Sequence, residues 1–228
     1  MDSKTKGVRK PRPVGPRREE ILAAALKLFA EYGVHGVTTR QIASAVGISQ
    51  PSLYAFFPNK RALEGEVCVR AFDELTSRLK DGLDALKRGI CDVRDLGRIY
   101  VDFGLTRPDA YRLAFMVEKG DPVTAVGSSG DTVMEAGSKS YNVLREALGI
   151  TLGAGLPPEE LGLLAQSLWA ALHGLVSLLL ARPLFPWCEQ KRLIEFHVNR
   201  VFGVVICPPL MRLAPEAGAE WVSDGLLP

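Results

Sequence analysis

Residues 36–63, GVTTRQIASAVGISQPSLYAFFPNKRAL, carry three helix starts and one glycine turn in a single short stretch. Thr38 stands before an apolar-periodic run and Gln41 follows three residues later, so hydroxyl and amide can each satisfy an orphan backbone N–H. The spacing predicts a helix from near Thr39 with Ile42, Ala43 and Val46 on one narrow apolar face. Gly47 then supplies the permissive backbone needed to leave it abruptly. Ser49 is a good N-cap and Pro51 suits the first turn of a second helix, which starts at about Gln50. Leu53 is the only large aliphatic residue there, so it turns inward and leaves Gln50, Ser52 and Tyr54 outward. Asn59 after Pro58 opens a third helix whose first residues, Lys60 and Arg61, combine charge with free N–H groups that suit a phosphate. Two short helices about a small-residue turn form a helix-turn-helix DNA reader. Capped helices separated by glycine also occur in proteins that never meet DNA, so spacing alone leaves both readings open.

From about Arg18 to Leu63 the chain resembles the N-terminal domain of TetR-type transcriptional repressors. The resemblance lies in ILAAALKLFAEYGVHGVTTRQIA, in the recognition-helix stretch ISQPSLYAFF and in PNKRAL. It implies that Thr39, Tyr54 and Lys60 grip phosphates while Arg40, Gln50, Pro51 and Ser52 approach base edges. Phe56 departs from the family pattern, where a histidine, tyrosine or other polar residue is common. Its ring either touches a thymine methyl or packs inward, and packing is the expectation.

Charge distribution agrees with a DNA-facing N-terminus. The net charge of +2 over 228 residues is unremarkable, but the first 60 residues hold ten Lys/Arg against four Asp/Glu. That leaves the remainder with an acidic balance. Residues 1–16 read as a disordered basic arm interrupted by Pro11, Pro13 and Pro16. The arm, with Arg12 and the adjoining Arg17 as contact candidates, either follows the DNA backbone and minor groove or is a solvated tail. Contact would strengthen binding through counterion release.

Downstream of a reader at 17–63, residues 64–206 read as an all-helical regulatory and dimerisation domain, and 207–228 as a loose tail. The expected class is therefore all-α. Leu63, Val67, Phe72, Leu75, Leu79, Leu83 and Leu86 give a long connecting helix one buried stripe. Val93, Leu96, Tyr100 and Phe103 predict another helix that stops near Arg107-Pro108, and Pro108 begins a short one containing Tyr111, Leu113 and Phe115. Residues 118–129 read as a mobile loop, followed by helices near 131–148, 159–182 and 190–206. Cys68, Cys91, Cys188 and Cys207 are scattered, without metal or redox spacing, and read as reduced and structural. No metal, cofactor or catalytic constellation is expected, nor an apolar leader; the expected location is cytoplasmic. Residues 161–181 lack any charge and are long enough to cross a bilayer. The Pro157-Pro158-Glu159-Glu160 start, the Arg182-Pro183 stop and the polar Gln166, Ser167, His173 and Ser177 favour instead a helix buried by a subunit partner.

The run Trp169-Ala-Ala-Leu-His173-Gly174, with RPDAYRLAF earlier, resembles a TetR subgroup named for its Trp, His and Gly. The resemblance implies a homodimer whose last two helices pair into a four-helix bundle, and a small-molecule cavity behind the connecting helix. Tyr100, Phe103, Tyr111, Phe115, Trp169 and His173 either line that cavity or fill the core. Their chemistry points to a mainly apolar or aromatic effector. A two-fold protein presents its reading helices about 34 Å apart and so selects a palindromic operator. The expected function is a ligand-responsive repressor binding double-stranded DNA. An activator with the same reader is the rival, and a nonspecific DNA-binding protein a more distant one.

Overall fold

The structure, a computed structural model, describes residues 14–116, 129–153 and 155–206. Among them all regular structure is helical. The order is α1 (Val14–Gly36), α2 (Thr39–Ala45), α3 (Gln50–Tyr54), α4 (Lys60–Lys87), α5 (Arg94–Thr106), α6 (Pro108–Tyr111), α7 (Ser129–Leu152), α8 (Pro158–Ala181) and α9 (Gln190–Ile206). The loop expected at 118–129 and the tail at 207–228 lie almost wholly or wholly outside the described residues. So does most of the basic arm, with Arg12. Its last residues, 14–16, belong instead to α1, because proline is tolerated in a helix's first turn.

The three starts in the quoted stretch form as their chemistry dictates. Thr38 accepts from the Gln41 backbone at 3.2 Å while the Gln41 side chain accepts from Thr38 N–H at 2.8 Å, a complete capping box. Ser49 caps α3 through Ser52 N–H, and Asn59 caps α4 through Ala62 N–H at 2.8 Å. Gly47 leaves α2 with a φ of 68°, a conformation that side chains rarely adopt. α1, α2, α3 and the start of α4 then close on Phe29, Ile42, Leu53, Phe57 and Leu63, all fully buried.

α4 runs from this head into the rest of the molecule and lies along α7. Their apolar seam contains one polar pair, Thr76 and Ser140, hydroxyl to hydroxyl at 2.7 Å, so neither is left orphaned. The segment after Pro108 departs from expectation. It is α-helical only to Tyr111 and then widens into a π-helical turn over Arg112–Met116. α6 and this turn pack against α1 as well as α4, so they touch both the head and the connecting helix. α7 also extends further at both ends than its apolar pattern indicated. Cys68 is buried and Cys91 half-buried, but Cys188 is exposed, so its predicted structural role is corrected: it fills no interior.

α5 approaches α8 closely at Gly104. A methyl group there would overlap Val176 Cγ1 and stand 3.1 Å from the Tyr111 ring, both on fully buried neighbours. Gly104→Ala is therefore expected to lower stability by about 1–3 kcal/mol despite the better helix propensity of alanine. A denaturant midpoint unchanged or raised would contradict this packing.

Candidate functional site

The outward surface of α2 and α3 is organised by one buried hydroxyl. Thr39, 8% exposed in the first turn of α2, receives the Gln50 amide at 2.9 Å and lies 3.1 Å from the Tyr54 hydroxyl. Gln50 and Tyr54 are one turn apart on α3 and themselves approach to 3.4 Å. These hydrogen bonds stabilise the phenolate form and hold the Tyr54 pKa below its ordinary value. Two outward side chains are thus tied to a third that is anchored in the fold, which limits the rotamers they can adopt. Around them Arg40, Pro51 and Ser52 are exposed. Phe56 is half-buried against the core, as expected of a packing residue.

Two cations expected at phosphates have partners within the chain. Lys60 Nζ donates to the Val34 carbonyl and sits 5.9 Å from the Phe29 ring, which fixes the start of α4 against the bend of α1. Arg17 donates to the Val46 carbonyl at 3.1 Å and pairs with Glu20 at 2.6 Å, linking α1 to the end of α2. Further along, Arg18 pairs with Glu66 and stacks 4.6 Å from the Phe57 ring, while Arg70 donates to Glu19 at 2.8 Å. α1 and α4 are clasped by charge as well as by apolar contact.

The second constellation lies behind α4. Trp169, Tyr100, Tyr111, His173 and Ser177 form a continuous hydrogen-bonded chain, with successive separations of 3.3, 3.1, 2.7 and 3.2 Å. The Trp169 indole N–H can only donate, so Tyr100 accepts at that end. The Tyr100–Tyr111, Tyr111–His173 and His173–Ser177 contacts can each run in either direction, set by the His173 tautomer. Burial alone pushes the His173 pKa down, in agreement with a neutral ring, and pushes the Tyr111 phenol up to about 12. Burial raises Tyr100 further still. Phe115 stacks among these rings at 4.8 Å from Tyr111 and 5.9 Å from both Tyr100 and His173.

Five of the six residues expected at a ligand site are therefore brought together. Phe103 is not among them, because it turns toward α4, where the Arg78 guanidinium lies 5.5 Å from its ring. Sequence reasoning missed Ser177 as the last member of the chain, although its four-residue spacing from His173 was a usable signal. It also missed Tyr141, which faces Trp169 at 6.4 Å and donates to the Gly162 carbonyl at 3.1 Å. Two open clefts lie elsewhere. One, of about 470 Å³ between α5 and α9, is crossed by Arg98, which is already paired with Glu195 at 2.8 Å and Asp95 at 3.0 Å. The other, of about 510 Å³, lies on α7 beside the start of α8.

α8 and α9 present an unusual outer surface. Leu163, Ser167, Ala170 and Leu178 are exposed at helical spacing on α8, with Gly174 in the same stripe open to space on its Cβ side. Phe196 and Val204 are exposed on α9, at 63% and 58%. Only 28% of the apolar window of α8 is buried within the subunit, and by length and composition the helix could cross a membrane.

Two family models match. Residues 21–67 fit the model described as bacterial regulatory proteins, tetR family, and residues 93–201 fit a tetracyclin repressor-like C-terminal domain. The chain is 33% identical to the class D tetracycline repressor protein of Escherichia coli over 122 residues, 45% of this chain and 55% of that protein. It is 31% identical to the HTH-type transcriptional regulator RutR of Escherichia coli strain K12 over 129 residues, 56% of this chain and 60% of RutR. The chain thus spans little more than half the length of these relatives. Among solved structures, the fatty acid degradation regulator FadR from Bacillus halodurans superposes with a TM-score of 0.67 at 18% identity, covering 84% of this chain and 97% of that one. A tetR-family transcriptional regulator from Streptomyces coelicolor gives 0.61 at 24% identity, covering 85% and 82%. At these identities the superpositions speak for the fold alone.

Proposed function

Since this chain belongs to the TetR family of DNA-binding transcriptional regulators, we propose that it is a cytoplasmic repressor that grips a palindromic operator as a homodimer and releases it when a mainly apolar effector binds. Proteins of this family regulate transcription and are not enzymes. The observation that carries the reading is the outward set Arg40, Gln50, Pro51, Ser52 and Tyr54, with two of its members held by Thr39. Held side chains lose less freedom on meeting base edges, so their hydrogen bonds contribute more to binding. Thr39, Tyr54 and Lys60 take the phosphates in this reading, joined by Arg17 and by Arg12 of the arm. Lys60 would have to exchange its Val34 carbonyl for a phosphate oxygen or act through charge at the α4 N-terminus.

The dimer is supported by the α8 stripe, which is small at its middle and apolar at both ends. Small residues let two helices approach closely, and a second copy would cover a surface too apolar to leave in water. We assign the effector to the aromatic cluster of Tyr100, Tyr111, Phe115, Trp169 and His173, whose packed rings part to admit it, with Phe103 as core behind it. A ligand seated there displaces α6 and the π-helical turn, which touch α1 and α4, and so tilts the reading heads. Shifting occupancy between the two shapes from 1:99 to 99:1 requires about 5.5 kcal/mol of preference, within reach of a buried apolar ligand. An activator would use the same surfaces.

Competition in solution tests the assignment. Fluorescently labelled DNA from upstream of the gene should be displaced by unlabelled copies of itself at concentrations about 10³-fold or more below those needed for random DNA. Equal competition would make the protein a nonspecific DNA binder.

A further inference from the structure

Four charged side chains close between α1 and α4, and one of them reaches the end of the reading helix. Arg18 on α1 donates through both terminal nitrogens to the two carboxylate oxygens of Glu66 in the second turn of α4. Arg70, one turn further along α4, donates to Glu19 at 2.8 Å and to Glu66 at 3.4 Å. Two cations and two acids make a neutral set, so it adds nothing to the basic charge that the N-terminal region offers to DNA. The Arg18 fork is directed at Glu66 while its guanidinium carbon lies 4.6 Å from the centre of the Phe57 ring. A phosphate would have to displace a bidentate carboxylate before this residue could hold it.

Phe57 is the group on which the set acts. It is fully buried, and its N–H donates to the Leu53 carbonyl at 3.0 Å, which ties the ring to the end of α3. α3 is five residues long, and within it Leu53 alone is buried. A helix this short does not hold itself in water, so its place depends on the side chains that anchor it. Phe57 is the next anchor along the chain, and Arg18 both stacks on that ring and grips α4. Arg18 and Glu66 are 35% and 24% exposed, shielded enough for a forked pair within a network to keep one geometry.

We propose that Arg18 is a positioning residue for DNA reading: held by Glu66, it fixes Phe57 and with it the seat of α3, so a displacement of α4 reaches Gln50 and Tyr54 through this contact. The proposal rests on the reading surface assigned above and needs neither the dimer nor the effector. Arg18 and Glu66 themselves stay off the DNA.

Two conservative variants of the full chain test it. Arg18→Lys keeps the positive charge and loses the fork. Glu66→Gln keeps the shape and removes an acid, which by charge alone would strengthen DNA binding. In the free protein both are expected to speed amide hydrogen exchange over residues 50–57 by about tenfold, with exchange in α8 unchanged. Both should weaken binding to the DNA upstream of the gene by about tenfold while affinity for random DNA does not fall. The exchange measurement needs no operator, so it decides the role of Arg18 even if the parent fails to tell upstream from random DNA, a failure that would belong to the repressor reading. Unchanged exchange over 50–57 would overturn the proposal. So would tighter binding of upstream DNA by Glu66→Gln, which would make Arg18 a phosphate contact that Glu66 restrains. Unchanged affinity for upstream DNA in both variants would overturn it too, leaving the four charges a stabilising clasp alone.

Discussion

Placing charge on the outer stripe of α8, by Ala170→Glu together with Leu178→Glu, is expected to turn a dimer into a folded monomer with little affinity for its operator. Both positions are exposed in the isolated subunit, so the substitutions remove little internal contact and the helical circular-dichroism signal should persist. In a two-fold bundle the same side chains are buried next to their own symmetry mates, and like carboxylates would be driven together without solvent. DNA binding falls with the dimer because linking two readers makes the second contact intramolecular, an advantage of about 10²–10⁴-fold in affinity. Sedimentation velocity would report the subunit state and anisotropy the affinity. A double variant that stays dimeric would remove α8 from the interface. A monomer that binds its operator as tightly as the parent would remove the need for two heads.

The second large effect concerns the reading surface. Gln50→Ala should weaken operator binding by about 1–3 kcal/mol per half-site, the value of one good base contact. In a symmetric complex both half-sites lose it, so the loss approaches a hundredfold or more while random-DNA affinity stays nearly constant. Thr39→Val is the informative companion. It keeps the size and burial of Thr39 but removes the hydroxyl that Gln50 and Tyr54 share, so it should give a smaller loss of affinity with relaxed preference at the same base pair. Equal losses on operator and random DNA for Gln50→Ala would mean that this residue serves the backbone and that direct readout lies elsewhere.

The parts of this architecture legible in the sequence are those decided within a few residues. Thr38 with Gln41, Ser49, and Asn59 each announce a helix start because capping is a contact between neighbours three apart. Gly47 announces a turn for the same local reason. Tertiary partnership is invisible at that range. The apolar order of 108–116 is equally compatible with α and π winding, and the turn that widens at Arg112 packs against α1 and α4, neither of which is near it in sequence. Tyr100 and Phe103 lie on nearly the same face of α5, yet one joins the hydrogen-bonded chain to His173 and the other turns to Arg78. Thr39 reads as a phosphate contact on resemblance, but its sharing between Gln50 and Tyr54 depends on the angle between two helices. The partnered state of Lys60 depends on the Val34 carbonyl in the last turn of α1, far away in sequence.

The account rests on two copies joined through α8 and α9 so that their α3 surfaces enter successive major grooves on one side of the duplex. Hydroxyl-radical footprinting of the full chain on the DNA upstream of its gene measures this directly. The account predicts two protected patches on an inverted repeat, centred about one helical turn or a whole multiple of it apart. A single protected half-site, or two patches in direct rather than inverted orientation, would contradict it.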